Sequence, residues 1–191
     1  MNVHTLTLGA FQTNTYIVEN GGRCAVIDPG YRPETILAFL RQRNLTADAI
    51  LLTHGHFDHV GAVKAVATET DCKVYLHEAD LSLPSMWTAG RLYYTDLYGD
   101  TVTAAGIPFR VLHTPGHTPG SVCLTAEDVM FSGDTLFCGS CGRTDLPGGD
   151  RETLHQSLKR LAAVQNDYTV YPGHGESTAL SREKKYNPYM R

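Results

Sequence analysis

The chain has no apolar run long enough to span a membrane, no excess of positive charge, no Gly-x-Ser-x-Gly nucleophile motif and no cysteine pattern of a secreted framework. Each absence removes a class. Without a long apolar run no spanning helix is expected. A formal net charge of -4, from 16 basic and 20 acidic residues, gives no electrostatic footprint for nucleic acid. Five cysteines, an odd number, argue against a disulfide scaffold. Cys138-Gly139-Ser140-Cys141 has C-x-x-C spacing, but no second pair exists to complete a four-thiolate zinc site. It also lacks a thioredoxin-like context, so it reads as two reduced thiols in a glycine-rich loop. The first residues, Met-Asn-Val-His-Thr-Leu-Thr-Leu, lack the basic start and apolar centre of a signal peptide. A cytoplasmic protein is therefore expected.

What is present reads as one globular domain over residues 1–191, since 42% apolar and 19% charged residues suit a soluble core. Strands are predicted at 3–10, 15–19 and 24–27, with Asn20-Gly21-Gly22 as a hairpin turn. A helix is predicted from Pro33 to Arg43, where Ile36, Leu37 and Leu40 share a face. Further strands are expected at 49–53, 73–77, 101–104, 109–113, 121–125, 129–132 and 167–171. Asp150 should cap a helix carrying Leu154, Leu158 and Leu161 on one face, and a short helix should cover 180–186. Residues 80–100 are irregular and hold Trp87, Tyr93, Tyr94 and Tyr98, which either wall a cleft or pack a flap on the body. Mixed strands and helices suit two sheets packed together with helices outside.

The richest stretch is Thr53-His54-Gly55-His56-Phe57-Asp58-His59. Three imidazoles and a carboxylate crowd into six residues, and all are ligand types for divalent metals. Packing does not call for such crowding, because a buried His or Asp without a partner is costly. The apolar run 49–53 precedes the cluster, and Val60–Ala67 with helical spacing follows it. The cluster is thus a loop from a strand end to a helix start. In an extended loop His54 and His56 point the same way, and Asp58 occupies the expected helix N-cap. Three later positions can complete a site: His117 in Pro115-Gly116-His117, Asp134 in Ser132-Gly133-Asp134, and His174 in Pro172-Gly173-His174. Each follows a predicted strand and has a glycine before it, which permits a tight turn.

His-x-His-x-Asp-His followed by single His, Asp and His residues resembles the pattern of the metallo-β-lactamase-fold hydrolases, over essentially the whole chain. The resemblance implies an α/β fold, a four-layer αββα sandwich. It also implies two divalent metal ions, zinc first, with iron or manganese also fitting His and carboxylate ligands. His54, His56, His117 and Asp134 would hold one ion. Asp58, His59, His174 and the bridging Asp134 would hold the other. Asp28, before Pro29-Gly30, would stand behind the ligands and orient their loop, although a turn-forming Asp explains it equally on local grounds. A hydroxide shared by the ions would be the nucleophile, with Asp58 accepting its hydrogen bond. His4, His77, His113 and His155 match no position of the pattern.

Gly133-Asp134-Thr135-Leu136-Phe137, followed by Cys141-Gly142-Arg143, looks like the compact bacterial glyoxalase II-like subgroup, which hydrolyses S-lactoylglutathione and related acyl-thioesters. Where that branch has Cys-Gly-Lys, with a lysine contacting glutathione, this chain has Arg143. It can pair bidentately with a substrate carboxylate or serve as a surface ion pair. The helical C-terminal domain of full-length glyoxalase II is not expected after His174. The partner implied is a small-molecule thioester, with no nucleic acid and no membrane. The rival is a persulfide dioxygenase on the same fold, sharing Gly-Arg-Thr-Asp and using a single iron on His54, His117 and Asp134. A nuclease of the superfamily fits the acidic charge poorly.

Overall fold

The computed structural model describes residues 1–191. Strands β1 (Asn2–Leu8), β2 (Thr13–Asn20) and β3 (Arg23–Ile27) form an antiparallel meander. Gly21 and Gly22, at φ 58° and 81°, make the two-residue turn that the sequence predicts. Helix α1 (Pro33–Gln42) returns the chain to β4 (Thr46–Leu51), parallel to β3. The ligand loop and two short helices, α2 (Phe57–Val60) and α3 (Val63–Thr70), lead to β5 (Lys73–Leu76). Two 3-10 turns, Glu78–Ser82 and Ser85–Trp87, then lead to β6 (Asp96–Leu97). These six strands form one sheet in sequential order.

The second half runs through β7 (Thr101–Ala104), β8 (Ile107–His113), β9 (Val122–Ala126) and β10 (Val129–Gly133). A small hairpin follows, β11 (Leu136–Phe137) with β12 (Ser140–Cys141). Then come α4 (Arg151–Ala162), β13 (Thr169–Pro172), β14 (Thr178–Ala179) and α5 (Leu180–Tyr186). The second six-stranded sheet has the order β14-β13-β10-β9-β8-β7.

The period-two alternation of strand side chains builds the layers. Tyr16, Val18, Ala25, Ile27 and Leu51 of the first sheet meet Ile107, Phe109, Leu124 and Phe131 of the second. The intervening Ile17, Val26 and Ile50 face outward onto Ile36 and Leu40 of α1 and Val63 and Val66 of α3. Cys123, Met130 and Val170 face outward from the second sheet onto Leu154, Leu158 and Leu161 of α4 and Leu180 of α5. The result is the αββα sandwich. Each fully buried Ile, Leu or Phe contributes about 1.5–3 kcal/mol, so both sheets are held on both faces.

Two local expectations change. The apolar pattern after His59 is not one helix: Gly61 and Ala62 separate α2 from α3. Gly61 lies against the carbonyl of Gly30, and the Ala62 N–H donates to Pro29 O at 3.0 Å. Asp58 is not the helix cap either. His56 takes that position with extended backbone, and Asp58 lies in the first turn, its carboxylate turned to Thr13 and His174. The segment 80–100 packs on the body. Leu92 and Tyr93 cover the outer core, while Tyr98 stacks on Tyr75 at 5.9 Å.

Candidate metal centre

All seven predicted ligands stand at one end of the two sheets. His54, His56, Asp58 and His59 follow β4, His117 follows β8, Asp134 follows β10, and His174 follows β13. The preceding glycines serve different ends. Gly116 and Gly133 adopt φ 134° and 49°, which disfavour a side chain. Gly173 is needed for space instead: a Cβ there would collide with the Asp134 carboxylate and the His59 ring.

The side chains converge as two triads. One ligand atom each from His54, His56 and His117 lie within 4.8 Å of one another, and so do those of Asp58, His59 and His174. His56 Nδ1 stands 2.9 Å from His117 Nε2. Asp134 faces both groups, at 3.5 Å from His117 Nε2, 3.4 Å from His59 Nε2 and 3.6 Å from His174 Nε2. Four of the five histidines are buried, and only His174, with 28% of its side chain exposed, opens to solvent.

A layer of hydrogen bonds fixes the rings from behind. The Asp28 carboxylate accepts the Thr53 N–H (2.8 Å), the Thr53 hydroxyl (2.6 Å) and His59 Nδ1–H (2.9 Å). The Thr53 hydroxyl proton goes to Asp28, so its oxygen accepts His54 Nδ1–H at 3.1 Å. His117 Nδ1–H donates to the Arg143 carbonyl (2.8 Å), and His174 Nδ1–H to the Phe11 carbonyl (3.1 Å). These bonds turn the opposite Nε2 of each ring towards the cluster. Asp28 therefore does more than form a turn: it reaches His59 directly and His54 through Thr53.

The electrostatics follow from burial and these neighbours. Burial, then the adjacent His59 and His117, holds His54 well below the ordinary imidazole value. Burial, then His117, pushes His56 down to about 4. Burial would raise the Asp58 carboxyl, but the His174 hydrogen bond and His59 outweigh it and hold it low. Asp134 is likewise held low, because His59 overcomes its burial. Burial lowers His59 and His174, yet the carboxylates win: Asp134 and Asp28 raise His59, and Asp58 and Asp134 raise His174.

The donor set fits divalent ions. On the cluster side, His54 Nε2, His59 Nε2 and Asp134 Oδ1 are buried with no hydrogen-bond partner, and His56 presents Nδ1, 2.9 Å from His117 Nε2. An unpaired buried polar atom costs roughly 1–3 kcal/mol, and imidazole lone pairs beside carboxylates are what such cations take up. Arg143 behaves otherwise. Its guanidinium is exposed and holds Asp145 through two bonds, 2.6 and 2.7 Å, while only its carbonyl reaches the cluster. Three contributors carry no local sequence signal: Thr13, whose hydroxyl donates to Asp58 at 3.2 Å, Phe11, which acts through its carbonyl, and the buried Asp80. All three come from elements distant in sequence.

A four-layer αββα sandwich with His and Asp ligands gathered at its strand ends defines a superfamily of metal-dependent hydrolases. The chain belongs to the metallo-beta-lactamase superfamily, whose family model matches residues 8–174. It is 37% identical to the probable metallo-hydrolase YqgX of Bacillus subtilis, covering 100% of this chain and 98% of that one. It is 34% identical to the hydroxyacylglutathione hydrolase GloC of Haemophilus influenzae, with the same coverage. Three solved structures superpose closely. The BLEG-1 B3 metallo-beta-lactamase has TM-score 0.89 at 37% identity, covering 99% of both chains. TTHA1623 in a di-iron-bound form has TM-score 0.88 at 42% identity, covering 98% of this chain and 100% of that one. ETHE1 from Myxococcus xanthus has TM-score 0.84 at 29% identity, covering 98% and 84%.

Proposed function

We propose that this protein is a glyoxalase II-like thioester hydrolase with two divalent metal ions, acting on S-lactoylglutathione or related acyl-thioesters. The observation that carries the reading is the pair of triads with Asp134 facing both, and a buried nitrogen left unpaired on each side, His54 Nε2 and His59 Nε2. Under it, His54, His56 and His117 would hold one ion, Asp58, His59 and His174 the other, and Asp134 would serve both. Such ions would supply an acidified water and Lewis-acid polarisation of a carbonyl. The chain's own groups do the rest. Asp58, itself held by Thr13 and His174, accepts a hydrogen bond from the attacking water. Asp28 and Thr53 keep the His54 and His59 rings from turning.

The thioester part rests on the full-length likeness to GloC and on the surface beside the cluster. A groove of about 800 Å³ is lined by Gly142, Arg143, Thr144, Arg151, His155 and Tyr189. A volume of that order suits a small molecule. It borders the cluster through Gly142, which packs against the His117 ring. Arg143 offers a cation to a substrate carboxylate by exchanging Asp145, since exposed ion pairs are weakly held. The overall negative charge supports a small substrate rather than nucleic acid.

The test is hydrolysis of S-lactoylglutathione by metal-loaded and chelator-stripped protein. Oxygen uptake on glutathione persulfide and hydrolysis of a chromogenic β-lactam are run beside it. Metal-dependent thioester cleavage exceeding both is expected. Oxygen consumption with one iron per chain replaces the reading with the dioxygenase, and preferred β-lactam cleavage replaces it with a lactamase.

A further inference from the structure

Asp80 lies in the 3-10 turn Glu78–Ser82, outside every ligand motif, and is fully buried. Its carboxylate accepts three hydrogen bonds. Oδ2 takes the Gly55 N–H at 2.7 Å and the Thr118 hydroxyl at 3.1 Å, and Oδ1 takes the Gly120 N–H at 2.6 Å. Gly55 sits between His54 and His56, and Thr118 follows His117. The three donors therefore belong to the two loops that supply the three-histidine triad. No member of the Asp58, His59, His174 triad is bonded to Asp80.

Two further observations give the contact a purpose. The His54 and His117 rings are held on Nδ1 by the Thr53 hydroxyl and the Arg143 carbonyl, whereas His56 turns Nδ1 to another member of the triad, 2.9 Å from His117 Nε2, and its other nitrogen has no partner. No side chain or carbonyl outside the triad bonds the His56 ring, so its backbone orients it, and Gly55 is the point where that backbone is tied. Gly120 meets Asp80 so closely that a Cβ would strike the carboxylate, so the glycine admits the clamp. A carboxylate suits three donors because it only accepts, on two oxygens.

We infer that Asp80 is a positioning residue for the three-histidine ion site, clamping the His54–His56 loop against the His117 loop. The inference rests on the two-ion reading of the cluster and not on the thioester substrate. D80N offers one accepting oxygen and turns an N–H₂ towards the remaining donor or donors, and D80A removes all acceptors. Groups that fix metal ligands from behind typically contribute 10–100-fold in affinity.

The experiment compares wild type, D80N and D80A, reading zinc stoichiometry by elemental analysis, stepwise affinity by chelator competition, and melting of the metal-free proteins. Wild type should bind two ions. Both variants should weaken one ion by 10–100-fold and leave the other within about threefold. Cobalt(II) loading should show the loss of the histidine-rich site's absorption. Equal weakening of both ions, no weakening of either, or loss of fold in both variants assigns Asp80 to the scaffold and overturns the inference. A wild type that takes up one ion refutes the two-ion reading instead. Asp80 is then judged on that ion: tenfold weaker binding in D80N supports the clamp, and equal binding overturns it.

Discussion

Replacing Asp28 with Asn isolates what the layer behind the ligands contributes. Asp28 is at φ 49°, a left-handed conformation that Asn tolerates well, so the substitution keeps the backbone and changes the hydrogen bonding and the charge beside His59. The carboxylate has three donors: Thr53 N–H on Oδ1, and the Thr53 hydroxyl and His59 Nδ1–H on Oδ2. With the amide oxygen in the Oδ2 position, the N–H₂ opposes the Thr53 N–H. With the amide reversed, it opposes His59 Nδ1–H. Either orientation strands at least one buried donor, which costs about 1–3 kcal/mol. Urea unfolding of the metal-free variant should show that loss. Zinc affinity, read by chelator competition, should fall 10–100-fold, about 1.4–2.8 kcal/mol. Both ions should be affected, since Asp28 reaches His59 directly and His54 through Thr53, whereas the Asp80 variants should affect one. Lower stability with both zinc affinities unchanged would refute the orienting role of Asp28.

Asp134→Ala should abolish uptake of both ions and all hydrolysis, because that carboxylate faces both triads; full occupancy by elemental analysis would remove it as the bridge. Metal uptake should release protons and weaken as pH falls. His59 and His174 titrate above the ordinary imidazole value and must lose their protons to bind; calorimetry in buffers of different ionisation enthalpy should detect the release, and a pH-independent affinity contradicts it. Glu183 is buried and accepts from Gly139, Thr178, Arg182 and Asn187, with burial opposed by those bonds, so its carboxyl is lowered from 4.5. A depressed carboxyl contributes stability above the unfolded value and loses it as pH falls through the folded one. Glu183→Gln should therefore cost about 1–3 kcal/mol at pH 7, with the gap from wild type closing below pH 4.5; a pH-independent gap refutes this. Arg143→Ala should mainly raise KM for carboxylate-bearing thioesters, and an unchanged KM leaves Arg143 as Asp145's partner.

The convergence of the candidate ligands was legible in the sequence because the pattern is local: His54, His56, Asp58 and His59 share one strand end, and His117, Asp134 and His174 each follow a strand and a glycine. The layers were legible from period-two alternation, as in Tyr16, Ile17 and Val18, which divide between the two faces of one sheet. The cap expected at Asp58 failed because His174 and Thr13, far along the chain, draw its carboxylate away from the helix backbone. The break between α2 and α3 was hidden because its cause, the approach of Gly30 to Gly61, is tertiary. Strands of two residues, such as β6, β11 and β14, carry too little pattern to be seen. Asp80 reads as an ordinary acidic residue in a loop until the fold brings Gly55 and Gly120 to it.

The most direct test of the account is elemental analysis of metal-replete protein paired with an S-lactoylglutathione hydrolysis assay on the same sample. Two ions per chain and thioester cleavage that disappears with chelation are the predicted result. A single iron per chain, with no thioester cleavage and with oxygen consumed on glutathione persulfide, would contradict it.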